Sequence, residues 1–203
     1  MAKIQSIDYN AIPPLARQMR EHAKELNTQV TTAYQSVTNM RESWHGVRYN
    51  SLCAEFNKII PNVNELLKLV VTEIPVALEV ACNNYAQTDG VGKITAVSTE
   101  QPQPCPNIEP STAVGLRFME EAVAGVQGNV SKNFQTSVDL LNTIDGVYRR
   151  VEWSSEAGDV FRARFEKLKN NMIRSFDELN AQFANLMNGA RGDMNKTETA
   201  STV

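Results

Sequence analysis

Long apolar runs are missing from this chain. The longest candidate, Leu66 to Ala81, is interrupted by Lys68, Thr72, Glu73, Pro75 and Glu79. It falls well short of the ~20 apolar residues a membrane span requires, so no stable membrane insertion is expected. Cysteine is scarce: Cys53, Cys82 and Cys105 form an odd set without C-x-x-C or histidine spacing, and neither a disulfide framework nor a zinc site follows. Cys53 and Cys82 fall on one expected helix, roughly 43 Å apart at 1.5 Å per residue, too far to pair within it. Histidine is scarcer still, with only His22 and His45. A di-iron site in a helical bundle needs Glu-x-x-His on two helices and further glutamates; the one match, Glu42-Ser-Trp-His45, leaves no metal expected.

Charge of one sign is lacking too. The formal net charge is −3 and the basic residues are scattered among acids, which gives no nucleic-acid footprint. There is no Gly-rich phosphate loop, no Gly-x-Ser-x-Gly elbow and no Cys/His pair, and acids such as Glu120-Glu121 read as solvated faces. Neither catalysis nor a cofactor is implied. Met1-Ala2-Lys3-Ile4-Gln5-Ser6 has none of the basic start, apolar stretch and small-residue cleavage site of a cleavable signal, so export would have to use another route.

What the chain does have is a repeat. Its two tryptophans, Trp44 and Trp153, stand 109 apart, from 153 − 44, and the register holds for more than thirty residues. Leu52, Phe56, Ile59, Val63, Leu67, Val70, Ile74 and Ala77 map onto Phe161, Phe165, Leu168, Met172, Phe176, Leu179, Phe183 and Leu186. Every counterpart is apolar. The steps of three and four trace one helix face, a near-heptad pattern suited to antiparallel packing; Leu52, Phe56, Ile59, Leu67, Phe161, Phe165, Leu168 and Phe176 are the expected bundle core. Upstream of Trp44 a second amphipathic run goes from Leu15 through Met19, Ala23, Leu26, Val30, Ala33 and Val37 to Met40. The run upstream of Trp153, from Phe118 to Tyr148, is looser, slightly out of register and weakened by Gly125 and Gly128.

These runs predict four helices, near 12–42, 47–88, 111–150 and 156–188, in an all-α fold of two helical hairpins in tandem, packed as an antiparallel four-helix bundle. Pro13-Pro14 suits a first helical turn, and Pro110-Ser111-Thr112 reads as the start of the third helix. Asp89-Gly90 and Asn188-Gly189 read as stops. Pro61 and Pro75 fall inside the second helix, where a bend or local break is expected at one or both. The domain reading is a hairpin over 1–90, a proline-rich linker over 91–110, a second hairpin over 111–188 and a disordered tail over 189–203. Arg191-Gly192-Asp193 lies in that tail as a candidate receptor ligand.

The first hairpin turn reads Trp44-His45-Gly46, an aromatic followed by a glycine where antiparallel helices reverse. Beyond the second helix stands Tyr85-Ala-Gln-Thr-Asp89. This arrangement resembles the WxG-motif family of early secreted antigenic target-like proteins, helical hairpins that dimerise into four-helix bundles, and the resemblance covers both halves. It implies a secreted or cell-surface protein, a substrate or effector of type VII secretion that acts by protein–protein interaction. It also implies export without a cleavable signal peptide and recognition by the type VII secretion ATPase. In that family a Tyr-x-x-x-Asp/Glu export motif accompanies the turn, which assigns that role to Tyr85 and Asp89. The second half departs from the pattern, with Trp153-Ser154-Ser155 at its turn and no Tyr-x-x-x-Asp after its last helix. It looks like the partner unit of a family heterodimer, fused here into one chain.

Helices of about 40 residues span roughly 60 Å, and an extended linker of about 20 residues reaches roughly 62 Å, so closure within one chain would leave the linker nearly taut. Closure would set Tyr85 and Asp89 beside Trp153; an intact Trp-x-Gly turn would meet the tyrosine motif only between two first hairpins, as in a homodimer or a complex with another WxG-family partner. A competing reading is a cytoplasmic helical adaptor or chaperone that covers a partner's apolar helix. A protein that opens onto membranes is a poor fit, because no strongly basic polar face is present.

Overall fold

In the computed structural model, which describes residues 6–201, each amphipathic run is a helix. Helix α1 spans Ile12–Asn39 and tightens into a 3₁₀ turn at Met40–Glu42. Helix α2 (Val47–Lys68) passes through a π-helical turn, Leu69–Glu73, into α3 (Ile74–Thr88). Helix α4 covers Glu120–Arg149 and α5 covers Glu156–Ser201. The fold is an all-α bundle in which α1 packs on α4 and α2 on α5, alongside the α1–α3 and α4–α5 pairings within the hairpins.

The two hairpins lie head to tail. Four short strands, β1 (Ser6–Ile7), β2 (Trp44–His45), β3 (Arg117–Phe118) and β4 (Trp153–Ser154), tie the entry of each hairpin to the turn of the other. β1 pairs antiparallel with β4, setting Ile7 opposite Trp153, and β2 pairs antiparallel with β3, setting Trp44 opposite Phe118. The second helices keep the spacing of 109. The first helices fit 111 instead (123 − 12): Ile12, Met19, Ala23, Leu26, Val30, Ala33, Val37 and Met40 correspond to Val123, Val130, Phe134, Ser137, Leu141, Ile144, Tyr148 and Val151, all buried. The difference of two lies in the turn, where the first hairpin carries the 3₁₀ residues between Met40 and Trp44 while Val151 stands two before Trp153.

One aromatic from each main helix meets at mid-bundle. Tyr34 of α1 packs edge-on to Phe56 of α2 at 5.3 Å, Phe56 stacks on Phe134 of α4 at 5.9 Å, and Phe134 stacks on Phe176 of α5 at 4.3 Å. Of the expected core, Leu52, Phe56, Leu67, Phe165, Leu168 and Phe176 are buried, and Ile59 and Phe161 are half-buried against them. Burial of such side chains contributes roughly 1.5–3 kcal/mol each.

The two internal prolines part company. Pro61 is exposed within an unbroken α2, so the carbonyl it leaves unserved lies on the wet side. Pro75 is buried in the first turn of α3, where a missing N–H is tolerated. The π turn precedes it, with the Ile74 N–H reaching back to the Leu69 carbonyl. The break therefore falls at Pro75.

Two boundaries differ from the sequence reading. The third helix begins at Glu120, not near 111, because residues 111–119 are still extended and include β3; Glu120 and Glu121 put the acidic first turn there, favourable to the helix dipole. The last helix continues past 188 to Ser201, so 189–201 is helical rather than a disordered tail; residues 202–203 lie outside the described residues. Gly189 is a slot rather than a stop: a Cβ there would overlap the Arg48 guanidinium. Arg48 crosses that slot to donate to Asp193 at 2.6 and 3.2 Å, and Arg191 donates to Glu120. The Arg191-Gly192-Asp193 triplet is thus helical and engaged with its own bundle.

The connection between the hairpins is docked along its length. Residues 94–111 have no helix or strand of their own, yet their backbone is held from Asn83 at one end to Asn50 at the other. It runs antiparallel to α2–α3, in the furrow beside α1, with Cys105 and Ile108 buried as its anchors.

Candidate functional site

The sequence-derived site residues divide between the two ends of the bundle. At the first turn Trp44 is fully buried, 6.2 Å from the ring of Tyr49, 5.6 Å from Phe118 and 6.1 Å from Phe183. Two of these three rings belong to the second hairpin, so Trp44 locks the turn against the opposing unit. Gly46 precedes α2 with φ +115° and ψ −174°, a conformation almost confined to glycine. The Gly46 carbonyl accepts the first helical bond, from the Asn50 N–H at 3.1 Å.

At the second turn Trp153 is 8% exposed and packs 6.2 Å from Phe161. Ser155, in the place aligned with Gly46, caps α5: its Oγ accepts the Gly158 N–H at 3.0 Å. Serine and glycine therefore do different work at aligned positions, one by hydrogen bonding and one by backbone freedom.

Tyr85 and Asp89 lie at the end of α3, where Tyr85 is half-buried and Asp89 is exposed. The Asp89 N–H bonds the Tyr85 carbonyl at 3.0 Å. Strand β1, which pairs with Trp153–Ser154, also packs against α3. Just beyond it the Tyr9 phenol comes up to the Asp89 carboxylate. That carboxylate as a neighbouring acceptor, with partial burial and the negative charges of Asp89 and Asp8, pushes the Tyr9 hydroxyl above its ordinary range. Tyr85 and Asp89 thus share one end of the molecule with Trp153, while Trp44 and Gly46 stand at the other, about 42 Å away along α1 at 1.5 Å per residue.

Sequence reading missed Tyr9 and Asp8 here, because they precede the first periodic helix, and it set Phe118 at the head of the run leading to Trp153, whereas Phe118 lies in β3, before α4 begins. The signal available at the first end was an aromatic standing just before the helix.

Glu42 lies in the 3₁₀ turn and His45 in β2, and among the described residues no three His, Cys, Asp or Glu side chains gather where a metal could bind. All three cysteines are free and buried; burial pushes the Cys105 thiol up to about 12 and that of Cys82 to about 11, leaving them as neutral thiols. Among the described residues no helix is long and apolar enough to cross a membrane. Comparison with protein-family models, curated proteins and solved structures gave no match.

Proposed function

We propose that this protein is a non-enzymatic substrate of type VII secretion, a fused dimer of two WxG-type hairpins that leaves the cell folded and acts through protein–protein contact. The observation that carries this reading is the head-to-tail closure of the two hairpins within one chain, which sets the Tyr85–Asp89 helix end beside the Trp153 turn. A folded bundle of this kind presents one continuous end surface, with a half-buried tyrosine, an exposed carboxylate and a neighbouring turn, to the secretion ATPase. Trp44 and Trp153 hold the turns that frame the two ends.

The test is export from a host that carries the pathway. Tyr85→Ala is expected to abolish appearance of the protein in the medium while helical circular dichroism stays at the wild-type level. Continued export of the variant, or export from a strain without the ATPase, would overturn the reading.

The adaptor reading keeps one specific support. Val47, Val114, Leu116 and Met119, all near the first turn in the chain or beside its paired strand, are 82%, 99%, 44% and 47% exposed, more apolar surface than a lone bundle end requires. It requires retention in the cell and a stoichiometric partner, which the same fractionation reads out.

A further inference from the structure

The segment joining the hairpins is held in a way that a mere connection does not need. Asn50, Asn57 and Asn64 recur every seven residues on α2, and each turns its side-chain amide onto the backbone of the segment. Asn64 Oδ1 accepts the Cys105 N–H at 2.8 Å. Asn57 accepts the Ile108 N–H at 2.8 Å and donates to the Ile108 carbonyl at 2.9 Å. Asn50 does the same to Ser111, at 2.8 and 3.2 Å. From α1, across the furrow, Asn27 pairs with Gln103 at 2.8 and 2.7 Å, and at the start Asn83 takes the N–H groups of Ile94 and Thr95 at 3.0 Å. An asparagine amide carries an acceptor and donors spaced like a peptide group, so it pairs with backbone as a neighbouring strand would.

The pitch of the two elements matches. Seven residues of α-helix rise ~10.5 Å, and three residues of polyproline II rise ~9.3 Å; the Asn64, Asn57 and Asn50 clamps fall on Cys105, Ile108 and Ser111, three apart. Over the whole track, from Asn83 to Asn50, the helices rise ~50 Å while the segment from Ile94 to Ser111 extends ~53 Å at 3.1 Å per residue. Three residues per turn also directs every third side chain inward, and Cys105 and Ile108 are 4% and 1% exposed. The prolines at 102, 104, 106 and 110 occupy none of the positions whose N–H is donated to an asparagine.

We infer that the furrow between α1 and α2 is a binding groove for extended, proline-containing polypeptide, recognised through its backbone and through small apolar anchors three residues apart, and filled in cis by residues 94–111. The occupant it takes in trans is the same segment of a second copy of this chain. This inference is independent of export: it rests on five asparagines that the secretion reading does not use.

The experiment keeps the full chain. Protease sites are introduced at Gly92-Lys93 and Val114-Gly115, where Val114 is almost fully exposed and a Cβ on Gly92 or Gly115 would meet nothing within 4 Å. After both cuts the excised peptide is expected to stay with the bundle through gel filtration at micromolar concentration. A labelled synthetic peptide of residues 93–113 is expected to exchange into it saturably. N-methylation at Cys105 and Ile108 should weaken that peptide at least tenfold, whereas alanine at the exposed Gln101, Pro104 and Glu109 should change it less than threefold. Release of the peptide from a bundle that keeps its helicity, loss of helicity on cutting, or equal competition by the N-methylated peptide would each overturn the proposal. In the uncut chain, Asn57→Ala should raise hydrogen exchange at the Ile108 amide while the α2 amides keep their protection; unchanged exchange at Ile108 counts against the clamp.

Discussion

Replacing Gly46 with alanine isolates what the first turn demands of the backbone. At φ +115° and ψ −174° a residue with a side chain carries strain of about 1–3 kcal/mol. The added Cβ would sit 3.3 Å from Leu116 Cδ1, a terminal methyl that can rotate aside, so the backbone accounts for most of the loss. Taking about 2 kcal/mol, and about 2–4 °C of Tm for each kcal/mol in a chain of this size, Gly46→Ala should melt about 4–8 °C below wild type. Ser155 supplies the control. Its role is the cap on Gly158, for which Ser→Gly costs only a few tenths of a kcal/mol and Ser→Ala about 1; Ser155→Gly should therefore melt within about 1 °C of wild type. Thermal and urea transitions followed by circular dichroism measure both. A Gly46→Ala protein that melts with wild type, or a Ser155→Gly protein that loses as much as Gly46→Ala, would refute the assignment of backbone freedom to one turn and capping to the other.

Two further outcomes test the core and its charges. Phe134, stacked between Phe56 and Phe176 and 1% exposed, should lose about 3–5 kcal/mol on replacement by alanine, read from the shift of the urea midpoint. Asp145 accepts from Lys169 at 2.7 Å and from Arg149 at 3.2 Å. Partial desolvation opposes its ionisation, but the hydrogen bonds from Lys169 and Arg149 and their charges outweigh it, and its carboxyl is held below the ordinary range. A carboxylate with a lowered folded pKa stabilises above its unfolded value near ~3.9 and loses that contribution as pH falls through the folded value. Asp145→Asn should therefore be less stable than wild type at pH 7, with the gap narrowing as pH falls below about 4; a gap that does not narrow on acidification would assign the loss to packing instead.

Most of the helical architecture was legible because periodic burial is a local property of sequence. The face from Leu52 to Ala77 and its image from Phe161 to Leu186 delimit α2–α3 and the buried part of α5 without reference to anything else. The misread boundaries share one cause, a local signal overruled by a distant partner. Pro110-Ser111-Thr112 carries the residue types that open a helix, yet Asn50 holds Ser111 in the docked segment, and the chain pairs at Phe118 with Trp44 before α4 begins. Asn188-Gly189 carries a stop, yet Arg48, far away in sequence, needs the missing side chain and finds Asp193 a turn later. The asparagines at 50, 57 and 64 were visible as a heptad, but a polar heptad on a helix reads as solvated surface until the segment it holds is known. The ends were legible only in half: Trp44, Gly46, Tyr85 and Asp89 stand out as residues, whereas Tyr9, in the turn after β1, and Phe118, in the two-residue β3, lie in segments too short to show a period of their own.

The head-to-tail pairing also changes what each half must satisfy. Two separate hairpins associate by mass action and can be diluted apart; joined by a docked segment, they associate at a fixed effective concentration, and their stoichiometry is set at synthesis. Neither half then has to complement a copy of itself. The matched positions of α1 and α4 bear the mark of that release: alanine at 23 and 33 answers phenylalanine at 134 and isoleucine at 144, and serine at 137 answers leucine at 26. Two α1 helices set face to face would leave voids at the alanines, and two α4 helices would crowd their phenylalanines, so each half is shaped to the other rather than to itself.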